Sequence, residues 1–75
     1  MTTKTEQQFM IDSLIADLVV FVMRDYRQSE EKAMATIFNS EYYERLNDLE
    51  SGLYVEGSIY NYHLLKHELD FGKIA

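Results

Sequence analysis

This 75-residue chain contains no proline, and its three glycines stand at positions 52, 57 and 72. Nothing therefore interrupts a helix mechanically before residue 52, and any boundary upstream must come from capping chemistry. The apolar residues already follow helical spacing. Ile11, Leu14, Ile15, Leu18, Val22 and Tyr26 recur at three- and four-residue steps, and Phe21 widens the same face. This predicts a first helix over about 5–26, the longest in the chain. Ser29, followed by Glu30 and Glu31, has the chemistry of an N-cap and a favourable first turn. A second helix over 30–38 then aligns Ala33, Met34, Ile37 and Phe38.

Asn39 is a candidate left-handed terminator and Ser40 a cap for a third helix over 41–50, which aligns Tyr42, Leu46 and Leu49 with Tyr43 beside them. Gly52 stands where a C-terminal glycine is expected. Residues 53–56 read as a connector, with an alternation that also suits a few extended residues. Ser58 is the expected cap of a fourth helix over 58–71. The predicted fold class is all-α: one domain spanning 1–75, built as a small bundle of four helices.

A chain this short buries only about 60% of the surface its unfolded form exposes. Small domains often compensate with disulfides, a metal or a partner subunit. With no cysteine, disulfides and thiolate metal sites are excluded, and association becomes the leading way to enlarge the core. The formal net charge is −6, from seven Lys and Arg against thirteen Asp and Glu. Such a balance opposes binding to nucleic-acid phosphates or to an anionic membrane. The longest apolar run, residues 14–23, is interrupted by Asp17 and falls far short of the roughly 20 residues that span a bilayer. No small-residue cleavage site follows it, so no signal peptide is expected. A cytoplasmic protein is the simplest expectation, one that meets neither nucleic acid nor membrane.

Two of the helices carry more apolar faces than one core needs. On the first, Phe9, Ala16, Val20 and Met23 form a second stripe away from Leu14 and Leu18, and Phe9, Ala16 and Met23 are seven residues apart. On the fourth, Ile59, Tyr62, Leu65 and Leu69 form one face and Tyr60, Leu64 and Phe71 another. A central helix wrapped by its neighbours accounts for one such surplus. Two are harder to cover in so small a bundle, and exposed apolar patches mark contacts. Tyr42, Tyr60 and Tyr62 fall on or beside apolar faces, as core or rim. Tyr43 and Tyr54 are open between simple packing and a protein contact, which tyrosine suits through its apolar ring and polar tip. The candidate interface residues are thus Phe9, Ala16, Val20, Met23, Tyr43, Tyr54, Tyr60 and Leu64.

Chemistry is thinly represented. His63 and His67, four apart on one helical face, have a spacing compatible with zinc. The glutamate of a His-Glu-x-x-His motif is missing, and Lys66 lies between them. Two partly exposed histidines near the negative end of a helix are the simpler account. No glycine-flanked serine elbow or glycine-rich phosphate loop exists, and carboxylates such as Asp12, Asp17, Glu30 and Glu31 sit where a solvated helix face is expected. The second and third helices can pass for a helix-turn-helix unit. Residues 30–50, however, set Lys32 and Arg45 against six acidic residues, a net of −4, the wrong sign for a phosphate backbone. No enzyme, metal or cofactor is expected.

The run Ser29-Glu30-Glu31-Lys32-Ala33, then Phe38-Asn39-Ser40 with Tyr43 and Leu46, then Ser51-Gly52-Leu53-Tyr54 and Tyr60-x-Tyr62-x-Leu64-Leu65-Lys66-x-Glu68 resembles small, uncharacterised all-helical bacterial proteins of similar length, some of them beside toxin-like or mobile-element genes. The resemblance covers roughly residues 10–73 and rests on caps, core aromatics and a turn. It implies a bacterial accessory protein and carries no functional residues across. The function expected is a non-enzymatic protein–protein interaction module that associates with itself as a homodimer. The alternative is an acidic, antitoxin-like or regulatory partner that neutralises a basic protein.

Overall fold

The computed structural model describes residues 3–73. Four α-helices follow in order: α1 (Lys4–Tyr26), α2 (Glu30–Phe38), α3 (Glu41–Asn47) and α4 (Ser58–Phe71), with two 3₁₀ turns, Leu49–Ser51 and Leu53–Val55, between α3 and α4. The all-α bundle with the first helix longest is therefore the fold of the chain, and no strand occurs among the described residues. No helix among them is long and apolar enough to cross a membrane.

Capping chemistry sets most boundaries. The hydroxyls of Thr3, Ser29 and Ser40 accept from the backbone N–H groups of Glu6, Lys32 and Tyr43, each at 3.1 Å. Each bond satisfies a donor that the first turn of a helix leaves without a partner. The α1–α2 turn is made by Arg27, a non-glycine residue at φ 53°, ψ 43°, a conformation that is costly for any residue with a Cβ.

Four expected details are corrected. Asn39 is not left-handed (φ −94°, ψ 2°), because Ser40 closes the α2 terminus itself: its hydroxyl and its N–H both donate to the Ile37 carbonyl, at 2.6 and 3.1 Å. Helix α3 stops at Asn47 rather than residue 50. Asp48 accepts from the Glu50 N–H, and the Ser51 hydroxyl donates to the Arg45 carbonyl, which tightens the chain into a 3₁₀ turn that ends at Gly52 (φ 71°). Residues 53–55 are a 3₁₀ turn and not extended. The α4 cap is Gly57, with Ser58 already inside the helix and no side-chain cap bond.

At 1.5 Å per residue α1 is about 34 Å long, nearly the full 37 Å of the molecule's long axis. It packs against α2, α4 and the 3₁₀ turn Leu53–Val55, and α3 packs on α4. The core contains Ile11, Leu14, Leu18, Val19 and Val22 of α1, Ala33 and Ile37 of α2, Tyr42 and Leu46 of α3, and Tyr62 and Leu65 of α4. Met34, Phe38 and Leu49, expected inside, are exposed, as is Ile59. These positions sit at the margins of their stripes, and α2 and α3 span only nine and seven residues, so each buries a narrow face.

Candidate functional site

The outer face of α1 leaves an apolar stripe on the surface, as α4 does with Ile59, Tyr60 and Phe71. Phe9 is 72% exposed and Val20 59%, and Ala16 between them is open to solvent. Met23 continues the line but is half-buried against the core. Beside these residues runs a groove of about 380 Å³ between α1 and α2, walled mainly by Ile15, Val19, Val20, Met23 and Met34, with Asp12 and Glu30 at its edge. Its origin is local. Helix α2 is too short to cover the flank of α1, and the buried Val19 and half-buried Ile15 and Met23 form a floor beneath that flank.

The other four expected contact residues divide. Tyr60 is exposed. Tyr43 is half-buried and meets the Phe38 ring edge-on at 5.0 Å. Tyr54 is half-buried, its hydroxyl accepting from Gln7 Nε2 at 3.1 Å. Leu64 packs against the core. Tyr43, Tyr54 and Leu64 are thus largely engaged within the chain and are not part of a shared face with Phe9 and Val20.

A second groove, about 510 Å³, lies between α4 and the end of α1 and differs in character. Its walls include Ile59, Phe71, His63 and His67, together with charged groups that are already paired. The Tyr62 hydroxyl donates to Asp25 Oδ2 at 2.6 Å, and Arg24 Nε donates to Asp25 Oδ1 at 2.8 Å. The guanidinium, then the tyrosine, hold the Asp25 carboxyl down at about 2. Burial, reinforced by Asp25, pushes the Tyr62 phenol up. One turn further, the Tyr26 hydroxyl donates to Asp70 Oδ1 at 2.6 Å, and Lys66 Nζ lies 3.3 Å from Asp70 Oδ2 and over the Tyr26 ring. Tyr26, then Lys66, holds Asp70 below the ordinary carboxylate range, and Asp70 holds Lys66 above the ordinary amine range. A carboxylate depressed in this way is a weak base near neutrality. The ion pairs of this groove lie within single helices, Arg24–Asp25 on α1 and Lys66–Asp70 on α4, and the Tyr62–Asp25 and Tyr26–Asp70 hydrogen bonds tie α4 to α1.

His63 is exposed. His67 stacks on Phe71 at 4.8 Å, and its Nδ1 lies 3.0 Å from the Lys73 carbonyl oxygen. Among the described residues no three His, Asp or Glu side chains come together as a metal-binding group.

Two polar residues that the sequence reading passed over organise the interior. Asn61 is fully buried. It accepts from the Tyr42 hydroxyl at 2.6 Å and places Nδ2 3.0–3.2 Å from the carbonyls of Leu53, Glu56 and Gly57. It therefore holds the approach to α4 where no side-chain cap exists. Glu68 of α4 accepts from the N–H groups of Glu41 and Tyr42 at 2.8 and 2.7 Å, a carboxylate on the positive end of α3. The Tyr42–Asn61 bond and the bonds of Glu68 to the start of α3 join residues 19 or more positions apart, and no spacing rule along the chain encodes them.

Compared with known protein families, characterised proteins and solved structures, the chain matches none at a significant level.

Proposed function

We propose that this chain is a non-enzymatic protein-interaction module that associates with itself through the outer face of α1. The observation that carries this reading is the run of Phe9, Ala16 and Val20 at the solvent surface beside an open, largely apolar groove. Interfaces draw most of their energy from a few large apolar anchors that fill pockets, and this face supplies both parts. A stable interface buries about 800 Å² per partner, roughly a sixth of the 5093 Å² the molecule exposes. The apolar face of α1 continues onto α2 through Met34, which lines the same groove. The absence of cysteine fits a reducing compartment, and the cytoplasm is the location this proposal carries.

Val20→Glu tests the reading. It puts a charge at the middle of the seam, where association leaves it buried and unpaired. Light scattering should then give a dimer for the parent chain and a monomer for the variant, with the same circular dichroism. A parent chain that stays monomeric at high concentration overturns self-association. Global unfolding by Val20→Glu would mean that this side chain belongs to the monomer's own core.

The net charge of −6 supports a second reading, an acidic partner for a basic protein. Such binding weakens steeply as salt rises, whereas apolar docking does not.

A further inference from the structure

We infer that the occupant of the α1–α2 groove is Phe9 of a second copy, delivered by an antiparallel pairing of the two α1 helices that cross near Ile15 and Ala16. The inference rests on the self-association proposed above and adds its geometry. Among the described residues Phe9 is the most exposed large apolar side chain, at 72%, and it stands on the same face as the groove but beyond the groove's end. A protruding ring and a pocket on one surface are the two halves of an isologous contact, in which each copy fills the other.

The register follows from the positions on α1. Phe9 and Met23 each lie seven residues from Ala16, so an antiparallel pair crossing there sets Phe9 of each copy on the Met23 end of the other's groove. Ala16, the smallest residue of the stripe, falls where the helix axes approach most closely. Charge gives an alignment one residue away, with the Asp25-bound guanidinium of Arg24, its side chain still 63% exposed, as the cation. Glu6 and Arg24, both exposed, are 18 residues apart, five full turns at 3.6 residues per turn, and so share one flank of α1. Their midpoint is residue 15. Antiparallel pairing brings each Glu6 toward the other copy's Arg24, on two symmetric sides. Parallel pairing instead stacks Phe9 on Phe9 and Ala16 on Ala16, leaves both grooves unfilled, and sets arginine at the level of arginine. Asp12 and Asp17 lie near the centre in either arrangement and do not discriminate. With the overall charge of −6, they oppose association of copies at low salt, so the dimer should tighten as salt rises, opposite to an acidic protein holding a basic partner.

Because the chain has no cysteine, one substitution gives one spin label per copy. With Thr5→Cys, antiparallel pairing puts the two labels about 30 Å apart along the axis, from about 1.5 Å per residue. Parallel pairing leaves only the helix–helix spacing, about 10 Å. Ser13→Cys, beside the crossing, should give a short distance of roughly 10–15 Å in both arrangements. Phe9→Ala should raise the dimer dissociation constant on the order of 30-fold, as removal of an interface anchor does, with unchanged circular dichroism because the ring is exposed in the monomer. A long Thr5 distance, a short Ser13 distance and the Phe9→Ala loss together support the inference. A short Thr5 distance, or Phe9→Ala without effect, overturns this geometry and leaves self-association through α1 standing. A long distance at Ser13, or no dimer at all, overturns both.

Discussion

The two grooves that flank α1 are of similar size and opposite construction. Toward α4 the walls are tied by directional bonds, Tyr62 to Asp25 and Tyr26 to Asp70, each at 2.6 Å. Toward α2 the walls are mainly aliphatic, and Phe9, Ala16 and Val20 are left beside them in water. Hydrogen bonds to charged groups fix one pairing and leave little to offer a partner. An apolar wall has no such saturation, since its stabilisation grows with whatever area is removed from water. The bonded side therefore fixes how α4 sits on α1, and the side toward α2 keeps in water the apolar area on which the proposed self-association rests.

The contrast breaks most sharply within α1 itself. Leu18 is fully buried and Val20, two residues on, is mostly exposed. Leu18→Ala should cost about 3 kcal/mol through lost contacts and a residual cavity, a large fraction of what so small a domain possesses, and should shift the urea midpoint far down. Val20→Ser should stay within about 0.5 kcal/mol in the same titration run dilute enough to keep the chain monomeric. Equal effects would show that the outer face is part of the core.

On the bonded side, Asn61→Ala should cost about 2 kcal/mol, because it leaves the buried Tyr42 hydroxyl and several carbonyls without their partner. Thermal denaturation followed by circular dichroism measures it. Glu68→Ala removes the carboxylate from the start of α3 and should cost about 1 kcal/mol, in the range of a lost helix cap. Hydrogen exchange should then quicken first at Glu41 and Tyr42, whose amides it holds.

The smallest expected effect is on pH dependence. The Asp25 carboxyl is depressed to about 2 in the folded chain against about 3.9 for an unfolded aspartate. A depressed carboxyl contributes stability that is fully present above the unfolded value and is lost as pH falls through the folded one. Asp25→Asn should therefore flatten the stability profile between about pH 4 and about pH 2, leaving the Asp70 contribution in place. An unchanged acid limb would show that the Tyr62–Asp25 bond contributes little to docking α4. Tyr62→Phe offers the matching measurement from the other partner.

The legibility of this chain in its sequence differs by element. Helix α1 could be read nearly to the residue, because Ile11, Leu14, Leu18 and Val22 repeat through about three turns and every repeat reinforces the same period. The Ser29 and Ser40 caps were equally legible, since a hydroxyl three residues from the amide it serves is a local event. Short elements were not. Nine and seven residues of α2 and α3 hold too few periods to say which side faces inward, so Met34 and Phe38 were assigned to a core they do not enter. The stripe of Phe9, Ala16, Val20 and Met23 was visible as a pattern, and periodicity alone has no means of saying whether water or a neighbouring helix meets it.

Sequence by itself determined the all-α class, the length of α1, the positions of the α1–α2 and α2–α3 turns, and the existence of surplus apolar surface, because each depends on contacts within four residues along the chain. Tertiary structure alone decided which surplus is covered. It turned Tyr42 inward onto Asn61, set Glu68 on α3, tied α4 to α1 with Tyr–Asp bonds, and left Phe9 and Val20 of α1 and Ile59, Tyr60 and Phe71 of α4 exposed. Those outcomes join residues 19 to 44 positions apart. Their physical basis is the direction of each side chain once the helices have docked, a quantity that no local spacing contains.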